Sequence, residues 1–279
     1  MKAFRIFLAI LCGVGIIGPV AAQQPRPYRI VVTNDDGVRA PGLAAVAQVL
    51  QAIGEVIVIA PVDNQTGKSH SVNTSEPIFR DDLTLPNGLR AIGLAATPAT
   101  TMQVALKNIV TPRPDLVVSG INNAYNLGYS AYLGGTVGAA RQAAMEGVPA
   151  IAASLAAAGA PRDFVVAAEE VLGVARRVKQ GGGLPAGTFL NVNIPPMPAG
   201  GYKGYQVTTQ AAVRAGTESF AEAKHPSGRT IYWSVYEEGA SASEGSDVWA
   251  VANGFVAVTP MHLGEHDGAL GDRIRPWFR

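Results

Sequence analysis

The sequence predicts an α/β protein: an open, mostly parallel sheet with helices on both faces, carrying a β-rich C-terminal extension. Three observations predict it. From Tyr28 to about Pro195, short apolar runs rich in β-branched residues alternate with segments of helical period. Turn residues punctuate the joints between them. Past Pro195 the pattern changes to β-type runs separated by turn residues. The chain has 279 residues, 15% of them charged, with 32 Gly and 19 Pro, which describes an apolar, turn-rich globular protein of one large or two small domains.

The first segment stands outside that fold. Lys2 and Arg5 precede the apolar run "IFLAILCGVGII", and Pro19 precedes the small residues Val20-Ala21-Ala22 and the polar Gln23. This is the three-part pattern of a secretory signal over residues 1–22, so the mature protein is expected to be periplasmic or secreted. The run of about 12 residues is short for a membrane span, which needs about 20. A retained amphipathic anchor is the alternative. Cys12 lies inside the run, and Leu11 before it lacks the small side chain of a lipoprotein cleavage site, so no membrane anchor is expected after cleavage. Cys12 is the chain's one cysteine, and the mature chain then has no disulfide and no thiolate metal site. Without Lys2 and Arg5 the 22 Lys and Arg fall to 20 against 21 Asp and Glu, a net charge of −1. No basic footprint for a nucleic-acid polymer is present.

Residues 23–279 are read as one α/β unit, with its core at 23–195 and the extension at 196–279. "YRIVVT" is a first buried strand. "PGLAAVAQVLQAIG" follows as a helix, with Leu43, Val46, Leu50 and Ile53 on one face and Pro41 suited to its first turn. "EVIVIAP" is a second strand and "ATTMQVALKNIV" a second helix. "PDLVVSG" is a third strand, "GTVGAARQAAMEG" a third helix and "VPAIAAS" a fourth strand. "DFVVAAEEVLGVARRVKQGGG" is a helix with a glycine stop, followed by the strand "TFLNVNIP". The extension contributes "GYQVTTQ", "TIYWSVYE" and "FVAVTPM", read as strands lying on the sheet.

This topology locates a site, because ligands of open α/β sheets collect outside the carboxyl ends of the strands. The segments after the first three strands are "TNDDG", "PVDNQTGKSHS" and "SGINNAYNLG". Each holds more Asp, Asn, Ser, Thr and Gly than a connector requires, and parallel strands bring all three to one edge. Asp35-Asp36 is a pair of like charges at a strand end, which a cation would relieve; two capping carboxylates in a turn are the other reading. Gly135-Thr136 opens the third helix, whose first amides can take a phosphate oxygen, although Thr136 also suits an ordinary N-cap.

Four stretches, "TNDDGVRAPGL", "APVDNQTGKSHS", "PDLVVSGINNAYNLG" and "GGTVGAARQAAMEGVPAIAAS", resemble in order the motifs of the SurE family, the stationary-phase survival proteins that act as metal-dependent nucleotidases and acid phosphatases. The resemblance implies a Rossmann-like three-layer sandwich, and a homodimer or homotetramer built through the C-terminal β extension. It also implies that Asp35, Asp36, Thr66 and Asn122 hold a divalent metal. All four offer oxygen, which suits Mg²⁺ or Mn²⁺ and is poor for structural zinc. Such a metal polarises a phosphoryl group and activates water. Asn64, Gly67 and Ser71, with Gly135 and Thr136, are the candidates for the substrate phosphate. Asp35 and Asp36 are then catalytic as well as ligating. His70, four residues after Thr66, could donate a proton to the leaving oxygen or be an exposed loop histidine.

Two departures from the family pattern matter. Thr66 replaces the usual serine, keeping the oxygen but stiffening χ1. Tyr129 and Ser130 stand where two acids are frequent, and Gly134 stands in place of a serine. Other motifs fail. "GKS" at Gly67–Ser69 has Val62 where a P-loop needs glycine. "HLGEH" at His262–His266 spells a zinc pattern, but Gly264, Pro260 and Gly268 oppose the helix it needs. "GYSAY" lacks the second glycine of a nucleophile elbow, and Gly37 stands where an aspartyl-phosphate enzyme would need its second Asp. Tyr232 and Trp233 could stack a base, though core or interface packing suits an apolar β run better. The sequence therefore points to an exported, metal-dependent phosphomonoesterase acting on nucleoside monophosphates through metal-activated water. A broad-specificity acid phosphatase and a non-catalytic binding protein for phosphorylated ligands are the alternatives.

Overall fold

The computed structural model describes residues 26–155, 163–213, 216–238 and 241–278; the expected signal at 1–22 lies outside them. The chain runs β1 (Arg29–Thr33), α1 (Pro41–Leu50), β2 (Glu55–Pro61), β3 (Arg80–Thr84), β4 (Arg90–Leu94), α2 (Pro98–Val104) and β5 (Leu116–Asn122). It continues through α3 (Gly135–Met145), β6 (Ala150–Leu155), α4 (Phe164–Gln180) and β7 (Thr188–Ile194). The extension adds β8 (Tyr205–Val207), β9 (Gly216–Lys224), β10 (Thr230–Glu238), α5 (Asp247–Ala252), β11 (Val256–His262) and α6 (Gly268–Ile274).

Nine strands form one sheet in the order β3-β4-β2-β1-β5-β6-β7-β11-β8. The six from β4 to β7 are parallel, while β3 and β11 run antiparallel to β4 and β7. The fold is thus the expected α/β sandwich. Because the parallel strands are buried on both faces, their side chains divide by alternation between two cores. Ile30, Val32, Val58, Val118, Ile151 and Val192 join the α1–α4 core, whereas Val31, Ile59, Val117, Ala152 and Phe189 join the α2–α3 core. Each fully buried Val or Ile contributes roughly 1.5–3 kcal/mol of transfer free energy, so this division fixes the register of the sheet. Gly42 lets α1 lie directly on β5: a Cβ there would come within 2.1 Å of the Ile121 carbonyl oxygen. Asp163 caps α4 by accepting from the amides of Val165 and Val166 at 3.1 and 3.0 Å.

The structure differs from expectation in three places. Between the polar stretch after β2 and α2 the chain forms the hairpin β3–β4, turned at Asn87-Gly88 with Gly88 at φ +84°. β5 runs to Asn122, so a candidate ligand ends a strand instead of lying in a loop. In the extension, β8 and β11 do join the sheet, but β10 does not. It pairs antiparallel with the unexpected β9 as a separate two-stranded ribbon, and α5 and α6 are further helices in a region read as β-rich.

Candidate active site at the carboxyl edge

β1 lies in the interior of the sheet, between β2 and β5; after β1 the chain moves to the β2 side, and only after β4 does it cross to β5 on the other side. The carboxyl ends of these three strands therefore meet, as the switch-point rule requires. Beyond Thr33 the chain turns tightly. Asn34 Nδ2 donates to the Gly37 carbonyl at 2.9 Å, and Gly37 takes φ +102°, a conformation that favours glycine.

Asp35 is 1% exposed. Thr136 Oγ1 donates to its Oδ1, and the amides of Thr136 and Gly135 also reach it. The start of α3 thus supplies hydrogen bonds and the positive end of its dipole to this carboxylate. Burial nevertheless dominates and pushes the Asp35 carboxyl above its usual range, against the Thr136 hydroxyl and the two amides. Asp36 is half-buried, and its Oδ2 accepts from the Asn123 amide at 3.0 Å. Asn122 is 6% exposed, and its Nδ2 donates to the Ala124 carbonyl at 2.8 Å, which leaves Oδ1 as its acceptor for another group.

The second loop docks on this pair through its backbone. Gln65 N donates to the Asp35 carbonyl at 2.6 Å, and Thr66 N donates to Asn64 Oδ1 at 2.8 Å, an Asx-type turn. Asn64 therefore already uses its side-chain oxygen locally, while Thr66 and Gly67 are exposed beside the aspartates. Further on, Ser69 N donates to the Leu133 carbonyl at 3.1 Å and Ser69 Oγ to that of Tyr132 at 2.5 Å. His70 Nε2 meets Gln142 Oε1 at 2.8 Å. The carbonyl of Ser71 accepts from Thr97 Oγ1 at 2.6 Å, so its contact leads to the N-cap of α2, not to α3.

Three glycines make this closeness possible. A Cβ at Gly135 would stand 2.8 Å from Asp35 Cβ, one at Gly138 would stand 2.1 Å from the Ser69 carbonyl oxygen, and one at Gly134 would stand 1.9 Å from Asn126 Oδ1. The last contact gives a physical reason for glycine in place of serine at 134. Asn126 was not identified from the sequence. It is buried, with its amide donating to Asn193 Oδ1 at 2.9 Å and its Nδ2 to Ser154 Oγ at 2.8 Å. Its carbonyl accepts from Asn191 and Asn193. This network ties the third loop to β6 and β7. Asp247, also fully buried, accepts from the amides of Gly128 and Ala211 at 2.9 Å each, and so ties the same loop to the extension. Neither residue lies near the aspartates in sequence, so local pattern could not single them out.

The donor set fits a hard cation. Among the described residues no group of three or more His, Cys, Asp and Glu could hold a metal, so an ion here would take two carboxylates and complete its shell with neutral oxygens. Asn122 Oδ1 and the exposed Thr66 hydroxyl are of that kind. Asn34 Oδ1, beside them in sequence, is buried without a hydrogen-bond partner among the described residues. A positive charge would reverse the desolvation cost now borne by Asp35. By contrast, His262, Glu265 and His266 line a separate open groove of about 700 Å³ with Arg141 and Gln210. Leu263–Asp267 is not helical, as expected, and the zinc pattern is not formed.

Comparison with known proteins agrees with this architecture. The family model described as Survival protein SurE matches residues 30–217. The 5'-nucleotidase SurE of Geotalea uraniireducens is 39% identical over 236 residues, 84% of this chain and 93% of that protein. The 5'-nucleotidase SurE of Symbiobacterium thermophilum is 36% identical over 252 residues, 89% of this chain and 97% of that one. The crystal structure of the SurE protein from Aquifex aeolicus superposes with a TM-score of 0.77 at 34% identity, covering 90% of this chain and 100% of that chain. With a sheet, a site edge and a sequence match that all coincide over the same residues, the chain belongs to the SurE family.

Proposed function

We propose that this protein is a divalent-metal-dependent phosphomonoesterase that hydrolyses nucleoside monophosphates with water as the nucleophile. Its membership of the SurE family, with relatives named 5'-nucleotidases, makes it a phosphoric monoester hydrolase. The observation that carries the finer reading is the meeting of Asp35, Asp36 and Asn122 with the start of α3 at one edge.

Asp35, Asp36, Asn122 and Thr66 would hold the metal, with Mg²⁺ or Mn²⁺ favoured by the all-oxygen set. When bound, it supplies Lewis acidity toward the phosphoryl oxygens and the attacking water. The chain's own groups do the rest. The Gly135 and Thr136 amides that open α3 are engaged by the Asp35 carboxylate, so they would steady that ligand, and Gly67 of the exposed second loop is the freer candidate for a phosphate oxygen. Thr136 holds Asp35 in one rotamer. His70 is the candidate donor to the leaving oxygen.

Purified protein should release phosphate from nucleoside monophosphates and from p-nitrophenyl phosphate with Mg²⁺ or Mn²⁺, stop in chelator and recover on readdition. Equal rates in chelator would sink the metal reading, and tight ligand binding without turnover would favour a binding protein. The ribbon β9–β10 exposes Phe220, Tyr232 and Trp233 at 63–66%, which supports association of copies through the extension. Export through residues 1–22 belongs to the same proposal and is tested by cell fractionation.

A further inference from the structure

His70 is held by more than its loop. Its Nε2 lies 2.8 Å from Gln142 Oε1, Gln142 Nε2 lies 3.0 Å from Glu146 Oε1, and Lys107 Nζ lies 3.0 Å from that same carboxylate oxygen. The order of charges fixes the order of donors. A carboxylate beside an ammonium only accepts, so the Gln142 amide must turn its NH₂ to Glu146. Its carbonyl oxygen then faces His70 and can only accept, so the imidazole must carry a proton on Nε2. Gln142 is 3% exposed, although its partners reach the surface, and Gly138 brings the backbone of His70 onto α3, with a Cβ there 3.2 Å from His70 Cα.

We propose that Gln142, oriented by Glu146 and Lys107, is a positioning residue that fixes the tautomer of His70 and reserves Nδ1 for the leaving group. The proposal rests on the reading of His70 as proton donor. As the water oxygen forms its bond to phosphorus, the ester P–O bond breaks and its electron pair goes to the leaving oxygen. That oxygen takes the Nδ1 proton of the imidazolium, and a neutral ring remains with its Nε2 proton on Gln142. The proton lost by the attacking water passes to solvent, from which the ring is recharged.

The test uses two leaving groups on the full-length protein. A nucleoside alkoxide needs a proton as it departs, whereas p-nitrophenolate leaves as a stable anion. His70→Gln should lower kcat for a nucleoside monophosphate by about 10²-fold or more and leave p-nitrophenyl phosphate nearly unchanged. Gln142→Met should lower nucleotide kcat by about tenfold, with KM, p-nitrophenyl phosphate turnover and unfolding temperature held. The exchanged pair Gln142→Glu with Glu146→Gln, which again offers His70 an acceptor, should recover most of that loss. Nitrogen NMR of the four histidines, with His70 assigned by its absence in His70→Gln, should show the neutral ring protonated on Nε2 in the parent and a tautomer mixture in Gln142→Met. If His70→Gln leaves nucleotide turnover intact, the proton-donor reading fails. If His70→Gln has the expected selectivity while Gln142→Met matches the parent, the positioning role alone fails. Equal loss on both substrates in Gln142→Met would reduce Gln142 to a packing role and overturn the proposal.

Discussion

Asp35 bears opposing demands: catalysis wants a charged carboxylate in a place from which water is excluded. Replacing it by Asn should lower turnover by about 10²-fold or more, and affect KM less, because a metal held there would act chiefly as charge develops on the phosphoryl oxygens. Steady-state kinetics of folded Asp35→Asn and Asp36→Asn would contradict the ligand set if rates stayed near normal. Stability should move the other way. Burial holds the Asp35 carboxyl above its unfolded value, so its contribution is full below the unfolded pKa and is lost as pH rises through the folded one. In chelator at neutral pH, Asp35→Asn should therefore unfold at a higher temperature than the parent, and the gain should vanish in acid. Thr66 poses a separate question. Thr66→Ser keeps the oxygen and should keep activity, whereas Thr66→Val, nearly isosteric, should shift the Mn²⁺ titration to higher concentration without changing the unfolding temperature. A parent-like metal curve for Thr66→Val would remove it from the metal shell.

At the scale of elements, α3 matters through what its side chains lack. Gly138→Ala would drive a Cβ against the Ser69 carbonyl, a backbone atom that cannot swing aside. It should cost on the order of 1–3 kcal/mol and lower activity by shifting the second loop, measurable by denaturant unfolding beside kinetics. Gly134→Ser meets Asn126, a side chain pinned by Ser154, and should destabilise unless Asn126 is also shortened. These contacts show where reading the sequence succeeds and stops. β1, β2 and β5 were legible because strands buried on both faces are written as unbroken Val and Ile. Asp35 and Asp36 stood out as a pair of like charges at a strand end, whereas Asn122 was singled out only by the resemblance to the SurE motifs. β9, "GTESFAEAK", has no apolar run, since a ribbon open on both sides buries too little to impose one. The β3–β4 hairpin did carry a signal in Asn87-Gly88, a dipeptide suited to tight turns. Asn126, Gln142 and Asp247 were illegible for another reason: each gains its role from partners that only the tertiary fold supplies.

At the scale of the molecule, the ribbon β9–β10 makes nine backbone pairings with itself and, among the described residues, belongs to no larger sheet. Two strands alone are marginal in water, and Phe220 and Trp233, 64% and 66% exposed, lie on opposite faces of the ribbon. If copies associate through the ribbon, Phe220→Ser with Trp233→Ser should shift the sedimentation profile toward the monomer while leaving the monomer's unfolding temperature nearly unchanged; a parent-like profile would rule the ribbon out as a contact between copies. The sheet order has a consequence in time. β11 lies between β7 and β8, so the edge of β7 is bare until β11 arrives, roughly 70 residues later in the chain. At about 5–20 residues per second of synthesis, a nascent chain carries that unpaired, largely apolar edge for several seconds, long enough to meet a neighbour. A chain released early, at residue 200, should aggregate at concentrations where the whole protein stays dispersed. Delay at the ribosome, not frailty of the finished sheet, is then the hazard that translation of this sequence has to manage.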